Sequence, residues 1–313
     1  MRQVRLETLA SLGLREPAVT IGNFDGVHRG HQALAAETVA RAHAAGGDAV
    51  ALTFDPHPAR VLAPERVPPA LTTAEQKAEL LAALGLDVLA VLPFTADVAA
   101  LAPDAFARSV LSGALGARHV VVGEAFRFGR GKAGDAATLA RLGAELGFDV
   151  GAVPAVTDDG RPVSSSRVRE ALAEGDAAHA AALLGRPYFV DGTVVEGDRR
   201  GRTIGVPTAN LDAGGALLPA RGVYAGRARL PGGSARLAVV NVGERPTFGG
   251  HTVTVEAHLL DYSGDLYGRR LRLSFAARLR GEERFPGAAA LVEQIRRDIA
   301  RARSLVSPAS DGV

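Results

Sequence analysis

"VTIGNFDGVHRGHQAL", Val19 to Leu34, runs from an apolar strand-like segment through a glycine-rich turn into a helix-like segment. Two histidines, His28 and His31, fall where the turn becomes the helix, and on a first helical turn that spacing puts them on one face. Gly22, Gly26 and Gly30 permit a tight path and close backbone approach. A helix amino terminus offers unpaired N–H groups and a positive dipole end, a natural seat for phosphate. Imidazoles there can donate hydrogen bonds to charge developing on a transferring phosphoryl group. Spacing alone leaves two other readings open. The histidines are a structural pair, or they are two ligands of a zinc ion that His57 completes.

Outward from this stretch, the first half alternates apolar strand-like runs with helical segments. "AVTIG", "AVALTF", "DVLAVLPF", "HVVVG" and "FDVGAVP" read as strands. "GHQALAAETVARAHAAGG", "TTAEQKAELLAALG", "PDAFARSVLSGALG" and "DAATLARLGAELG" read as helices, with Thr72 and Glu75 spaced as a capping box. Continuous apolar strands separated by helices predict a Rossmann-like α/β domain, a parallel sheet covered on both faces. Its ligands are expected at the carboxyl ends of the strands, near a switch in strand order.

After "SRVREALAEG" and "DAAHAAALLG" the period changes. "YFVDGTVVEG", "GVYAGRARL", "ARLAVVNVG", "TVTVEAHLLD" and "RRLRLSFAARLR" are strand candidates separated by turn residues, and "GAAALVEQIRRDIARARSLV" is a final helix. This half predicts a small antiparallel β-barrel with one C-terminal helix. The boundary is placed between residues 185 and 186, giving domains 1–185 and 186–313, with a frayed tail from Ser307.

Composition narrows the function classes. The chain has 313 residues, enough for two domains, with 47% hydrophobic and 22% charged residues. Its 36 basic and 34 acidic residues nearly cancel, so net charge implies no large nucleic-acid-binding face. It has no cysteine, which excludes disulfides, thiolate catalysis and cysteine-ligated metal. The first residues lack the apolar core of a signal peptide, and no apolar run reaches the roughly twenty residues that cross a bilayer. A cytoplasmic protein with no membrane or nucleic-acid partner is expected; oligomeric state is left open.

Three further stretches carry candidate chemistry. "SSSRVR", Ser164 to Arg169, is an N-cap with solvated arginines or a phosphate-binding helix end. "FDPHP" follows a strand directly, with Pro56 and Pro58 stiffening the loop around His57. "FRFGRG" brings Phe126 and Phe128 beside Arg127, a combination able to hold an aromatic ring; one phenylalanine in the core is the alternative. Gly129, Gly131 and Gly134 fit G-x-G-x-x-G, but away from the first strand–helix unit and with Asp135 at the helix start, so a nicotinamide-binding reading is rejected.

"GNFDGVHRGH" resembles the G-x-F-D-G-x-H-x-G-H signature of the nucleotidylyltransferases, in particular the bacterial bifunctional riboflavin kinase/FAD synthetases. The similarity continues in order through "TFDPHP", "VVGEAFRFG", "GRPVSSSRVREALAEGD", "GVPTANL", "GVYAG", "NVGERPTFG" and "VEAHLLD", nearly the whole chain. The resemblance implies that His28 and His31 contact ATP phosphates while FMN attacks the α-phosphorus, giving FAD and pyrophosphate. It implies further ATP and phosphate contacts from Gly22, Asn23, Asp25, Gly30, Arg161, Ser164, Ser165 and Arg169, with Asp25 chiefly shaping the loop. Pro56, His57, Pro58, Phe126 and Phe128 are the implied flavin contacts. Ala125 stands where the family commonly has Asp or Asn, removing one polar contact.

In the second half, the glycine-rich "VVEGDRRGRTIGVPTANL" is a solvated hairpin or, by resemblance, the kinase nucleotide flap, with Gly197, Gly201, Gly205, Thr208 and Asn210 on ATP. Thr208 and Asn210 are then the implied Mg²⁺ ligands, few because water and phosphate complete the shell. Val206 replaces a common Phe. Glu256, otherwise a solvent-facing strand carboxylate, matches the family's general base for phosphorylation of riboflavin to FMN. The expected ligands are therefore Mg²⁺, ATP, riboflavin, FMN and FAD. A flavin-binding carrier or regulator that has lost one or both activities is the alternative from another class.

Overall fold

A computed structural model describes residues 1–5, 13–197, 201, 205–247 and 250–306, with 245–247 and 250–252 described by backbone alone. The chain divides into two compact units, Met1–Ser164 and Ser165–Val313.

The first unit is built on six parallel strands: β1 (Arg2–Arg5), β2 (Ala18–Ile21), β3 (Ala49–Asp55), β4 (Val88–Pro93), β5 (His119–Gly123) and β6 (Asp149–Val153). Their spatial order is β1-β4-β3-β2-β5-β6. β2 is buried along its whole length, as a central strand covered on both faces must be. The order reverses at β2, which pairs with β3 on one side and β5 on the other. The loop leaving its carboxyl end, Gly22 to His28, therefore opens at the switch point where such sheets bind ligands. β1 is a strand that apolar periodicity did not reveal, because an edge strand with four mostly exposed residues carries almost no burial signal.

Three helices bear on the site: α1 (Arg29–Ala44), α2 (Ala74–Ala83) and α3 (Ala136–Leu146). α2 carries a capping box one residue later than expected: Thr73 and Gln76 reciprocate, leaving Thr72 for another task. α3 is N-capped by Asp135, whose Oδ1 accepts from the Thr138 N–H at 2.8 Å. That bond holds the Asp135 carboxyl below its ordinary pKa. The G-x-G-x-x-G glycines thus precede a helix already capped by a carboxylate.

The second unit begins with α4 (Ser165–Glu174) and α5 (Ala177–Leu184), followed by the strands β7 (Tyr188–Val195), β8 (Ala209–Asp212), β9 (Gly222–Arg229), β10 (Ala235–Thr247), β11 (Gly250–Leu259) and β12 (Arg270–Arg280), and by α6 (Ala288–Leu305). The strands close a barrel in the order β7-β8-β11-β10-β9-β12, every pairing antiparallel. β8 was not anticipated as a strand; its "ANLD" looked like part of a loop. Tyr188, Tyr224 and Phe275 fill the interior, the last two edge to face at 5.6 Å.

The compact units divide ahead of the boundary expected near residue 185, because α4 and α5 pack on the barrel. The Ala220 N–H donates to the Leu172 carbonyl at 2.8 Å, and α5 lies along β12 and β7. α6 covers part of the barrel's outer face, with Ile299, Ala302 and Val306 packed on Val223, Val239 and Leu279. The tail from Ser307 lies outside the described residues.

Candidate active sites

In the first unit the histidine loop is held from three directions. The Gly22 N–H donates to the Leu52 carbonyl, and the Thr53 hydroxyl donates to the Asn23 carbonyl. Asp25 is buried, and its Oδ1 accepts from the Leu71 and Thr72 amides at 2.9 and 3.2 Å. Thr72 completes the clip, its Oγ1 accepting from the Gly26 N–H at 3.1 Å. Asp25 shapes the loop, as the sequence suggested, by pinning it to the entry of α2. Phe24 and Val27 adopt positive φ, 50° and 44°, and both side chains are buried, so packing holds a backbone that sterics disfavour.

His28 N-caps α1, its Nδ1 accepting from the His31 N–H at 3.4 Å. A neutral ring that accepts at Nδ1 carries its proton on Nε2. The rings of His28 and His31 stack with centroids 3.7 Å apart and planes 18° from parallel, and Phe24 closes against His31. Gly30 is required here, because a Cβ would stand 3.1 Å from the His28 ring. Burial pushes the His31 pKa well below the ordinary histidine value, and the charges of His28 and Lys77 push the same way. His31 Nδ1 is buried and has no hydrogen-bond partner among the described residues.

The structure gathers several other predicted residues around this pair. His57 Nδ1 accepts from the Ala59 N–H at 3.1 Å, and its Nε2 lies 3.3 Å from Asn23 Nδ2. The "DPHP" loop is thereby tied to the histidine loop. The Val163 carbonyl lies 3.7 Å from where a Gly30 Cβ would be, which brings Arg161 to Ser164 alongside the start of α1. Arg161 is exposed and Ser164 half-buried. Ser165 and Arg169 belong to α4, in the second unit. Arg167, the other arginine of that motif, is buried and donates to His179 Nε2 at 3.3 Å.

One expectation needs correction. Phe128 is buried in the hydrophobic core, against Phe106 and Phe126 and over Gly134, so its ring faces are already covered. Phe126 stays half-buried. Lys77 was not anticipated. It sits one turn into α2, where burial lowers its pKa against the pull of Asp25 and Asp55. The Asp25 clip, which joins segments far apart in sequence, ties the entry of that helix to the histidine loop.

In the second unit the site forms on the outer face of the barrel. Asn210 pairs with Glu256, and Glu256 with Asn241, across three adjacent strands. Gly197 packs against the Asn210 carboxamide so closely that any Cβ would overlap it. A Cβ on Gly201 would overlap the Val206 carbonyl and stand 3.4 Å from the Thr208 hydroxyl. Gly205 takes a left-handed φ of 77°. The flap arginines 199, 200 and 202 lie outside the described residues.

Thr208 lines two cavities. One, of about 410 Å³, is bounded by Thr208, Glu256 and Asn241 and roofed by Phe285, Leu291 and Ile295. The other, of about 180 Å³, runs from Thr208 to Tyr262, Asp265 and Tyr267. His258 was missed in the sequence although it shares the face of Glu256 by strand alternation. Its Nδ1–H donates to the Pro207 carbonyl at 2.8 Å, which anchors the loop bearing Thr208. At the roof, the buried Asp298 accepts from Arg280 and from Gln294 Nε2 at 2.9 Å, clamping α6 to β12. Among the described residues no helix is long and apolar enough to cross a membrane.

Two family models match the sequence, FAD synthetase over residues 12–167 and riboflavin kinase over residues 184–306. The bifunctional riboflavin kinase/FMN adenylyltransferase of Pseudomonas fluorescens is 40% identical over 292 residues, 93% of each chain. Its counterpart in Escherichia coli K12 is 39% identical over 291 residues, 91% of each. That of Bacillus subtilis is 36% identical, covering 90% of this chain and 89% of its own. A crystal structure from Streptococcus pneumoniae, described as a macrolide-efflux protein, superposes with a TM-score of 0.87 at 29% identity, covering 98% of this chain and all of its own.

Proposed function

The chain belongs to the bifunctional riboflavin kinase/FMN adenylyltransferase family and has both activities, and we propose that the two sites described above divide them. It phosphorylates riboflavin to FMN with ATP and then adenylylates FMN to FAD. We assign the first step to the barrel and the second to the histidine loop. The division of labour is placed at residues 1–185 and 186–313, a reading supported by the kinase model's start at residue 184. None of the relatives supports the carrier alternative.

In adenylyl transfer an FMN phosphate oxygen bonds to the α-phosphorus of ATP as the bond to pyrophosphate breaks. Such chemistry needs positioning and charge stabilisation rather than a protein nucleophile. The amino terminus of α1 presents its N–H groups and dipole to the phosphates. His28 donates from Nε2, and neutral His31 offers a ring nitrogen that no described residue satisfies. Gly22 and Gly30 let the phosphates approach the backbone, and Asn23, Arg161 and Ser164 complete the anion contacts. Asp25 contributes through the loop it holds. Pro56, His57, Pro58 and Phe126 flank the flavin ring.

In the kinase step Glu256 takes the proton of the terminal ribityl hydroxyl as its oxygen attacks the γ-phosphorus and ADP leaves. ATP lies in the cavity bounded by Tyr262, Asp265 and Tyr267 and passes under the glycines 197, 201 and 205. Thr208 and Asn210 would hold Mg²⁺: both present neutral oxygens, and neither side chain makes a hydrogen bond among the described residues, a donor set that suits this hard cation. The bound ion would neutralise phosphate charge. Dependence of both steps on ATP favours a cytoplasmic setting.

The observation that carries this reading is that Thr208 lines both barrel cavities, with Glu256 in the larger. A joint His28→Ala and His31→Ala variant should stop FAD formation while FMN accumulates, and Glu256→Ala should stop FMN formation while supplied FMN is still converted. Loss of both activities in either folded variant refutes the assignment.

A further inference from the structure

The larger barrel cavity has a reactive end and an apolar end. Across the strands, in-register pairs place Asn210, Glu256, Asn241, Val223 and Arg280 in one row. Directly opposed residues point to the same face, with Cβ atoms about 5 Å apart. Thr208 and Glu256 occupy the reactive end, with Asn210 beside Glu256 on the neighbouring strand. Val223, Val239, Phe285, Leu291 and Ile295 line the rest. Asn241 stands between the two.

Three other polar side chains of this cavity are already committed. Arg280 and Asp298 pair with each other, and His258 Nδ1 bonds to the Pro207 carbonyl. Glu282 and Glu283 are exposed. Asn241 is half-buried, and its carboxamide makes no hydrogen bond among the described residues. Leaving such a group unpaired once a ligand covers it would be costly. The next residue on its face, Gly243, has no side chain: a Cβ there would stand 2.9 Å from Glu282 Oε1 and 3.0 Å from Asn241 Nδ2, so the exposed Glu282 carboxylate borders the same space.

We propose that Asn241 is the substrate-recognition residue for the polyhydroxyl chain of the flavin, aligning that chain with Glu256 while the ring occupies the apolar end. This rests on the reading of the cavity as the kinase's flavin site. The chemistry suits the position. A carboxamide both donates and accepts, as a run of hydroxyls requires, whereas an ionised Glu256 only accepts. An apolar side chain there would hold the ring and leave the chain unaligned.

The test compares riboflavin with lumiflavin, the same ring without the hydroxylated chain. Dissociation constants are measured by flavin fluorescence on the full-length protein and on Asn241→Ala and Asn241→Leu. The sequence has no tryptophan and its four tyrosines, at 188, 224, 262 and 267, all lie in the second unit, so tyrosine fluorescence reports whether the barrel is folded. Riboflavin affinity should fall roughly three- to tenfold, the worth of one or two neutral hydrogen bonds, with lumiflavin affinity and KM for ATP unchanged. Unchanged riboflavin affinity, or an equal loss for both flavins in a folded variant, overturns the proposal. A Glu256→Gln arm keeps the two ideas separable: it should bind riboflavin normally and not turn it over. Normal turnover there would defeat the base assignment while the Asn241 comparison still reads out directly.

Discussion

His28 and His31 stack ring on ring at 3.7 Å in the first turn of a helix, and a Cβ at Gly30 would touch the first of them. Stacking at that distance leaves little room for both rings to be charged at once. The low pKa of His31 is consistent with one neutral member.

Gly30→Ala should therefore impair FAD formation selectively. The added methyl must displace the His28 ring by a few tenths of an ångström, and misplacement on that scale costs about tenfold or more in kcat. Steady-state assays of the two steps, run separately, should show the kinase step unchanged.

The histidine pair also sets a pH dependence. The folded His31 pKa lies below the unfolded value of about 6.5, so the unfolded chain binds the extra proton first. Its contribution to stability is complete above about pH 6.5 and is lost as pH falls through the folded pKa. Thermal unfolding of the first unit should be steeper in pH between 5 and 6.5 for the natural protein than for His31→Gln. Parallel curves would contradict the neutral assignment.

Asp25→Ala should loosen the loop rather than abolish a chemical step. It strips the Leu71 and Thr72 amides of their acceptor, a loss worth about 1–3 kcal/mol. Hydrogen exchange at those two amides should accelerate ahead of the β2 and β3 amides, and FAD formation should fall through KM for ATP as well as kcat.

Asp298→Asn should destabilise the kinase unit. Arg280 and Asp298 side chains are only 14% and 5% exposed, and removing one partner of a buried pair costs about 3 kcal/mol. The tyrosine-monitored urea midpoint should drop, and FMN formation should fail at lower urea than FAD formation does.

Much was legible in the order of the residues. Alternation of buried strands and helices requires only local period, and it announced the parallel sheet; the change of period announced the barrel. "GNFDGVHRGH", "PTAN" and Glu256 were readable through the family resemblance; residue type and spacing alone made phosphate binding plausible only at the histidine loop. Local capping was nearly right: Thr73, not Thr72, caps α2, because Thr72 is spent on a loop 47 residues away.

What period and motif could not supply was the commitment of like residues to different tasks. Phe126 and Phe128 look equivalent in sequence, yet one ring is enclosed by the core. Arg167 and Arg169 share a motif, yet His179 takes the first. Asn241 and His258 lie inside the stretches "NVGERPTFG" and "VEAHLLD", which by themselves give them no role; strand register brings them to the cavity of Glu256. Sequence by itself determined the two fold classes, since these follow from local pattern, and its ordered motifs carried the family resemblance that implied the chemistry. Tertiary structure decided which side chains remain open to a substrate, because burial and hydrogen bonding are settled between segments far apart in the chain.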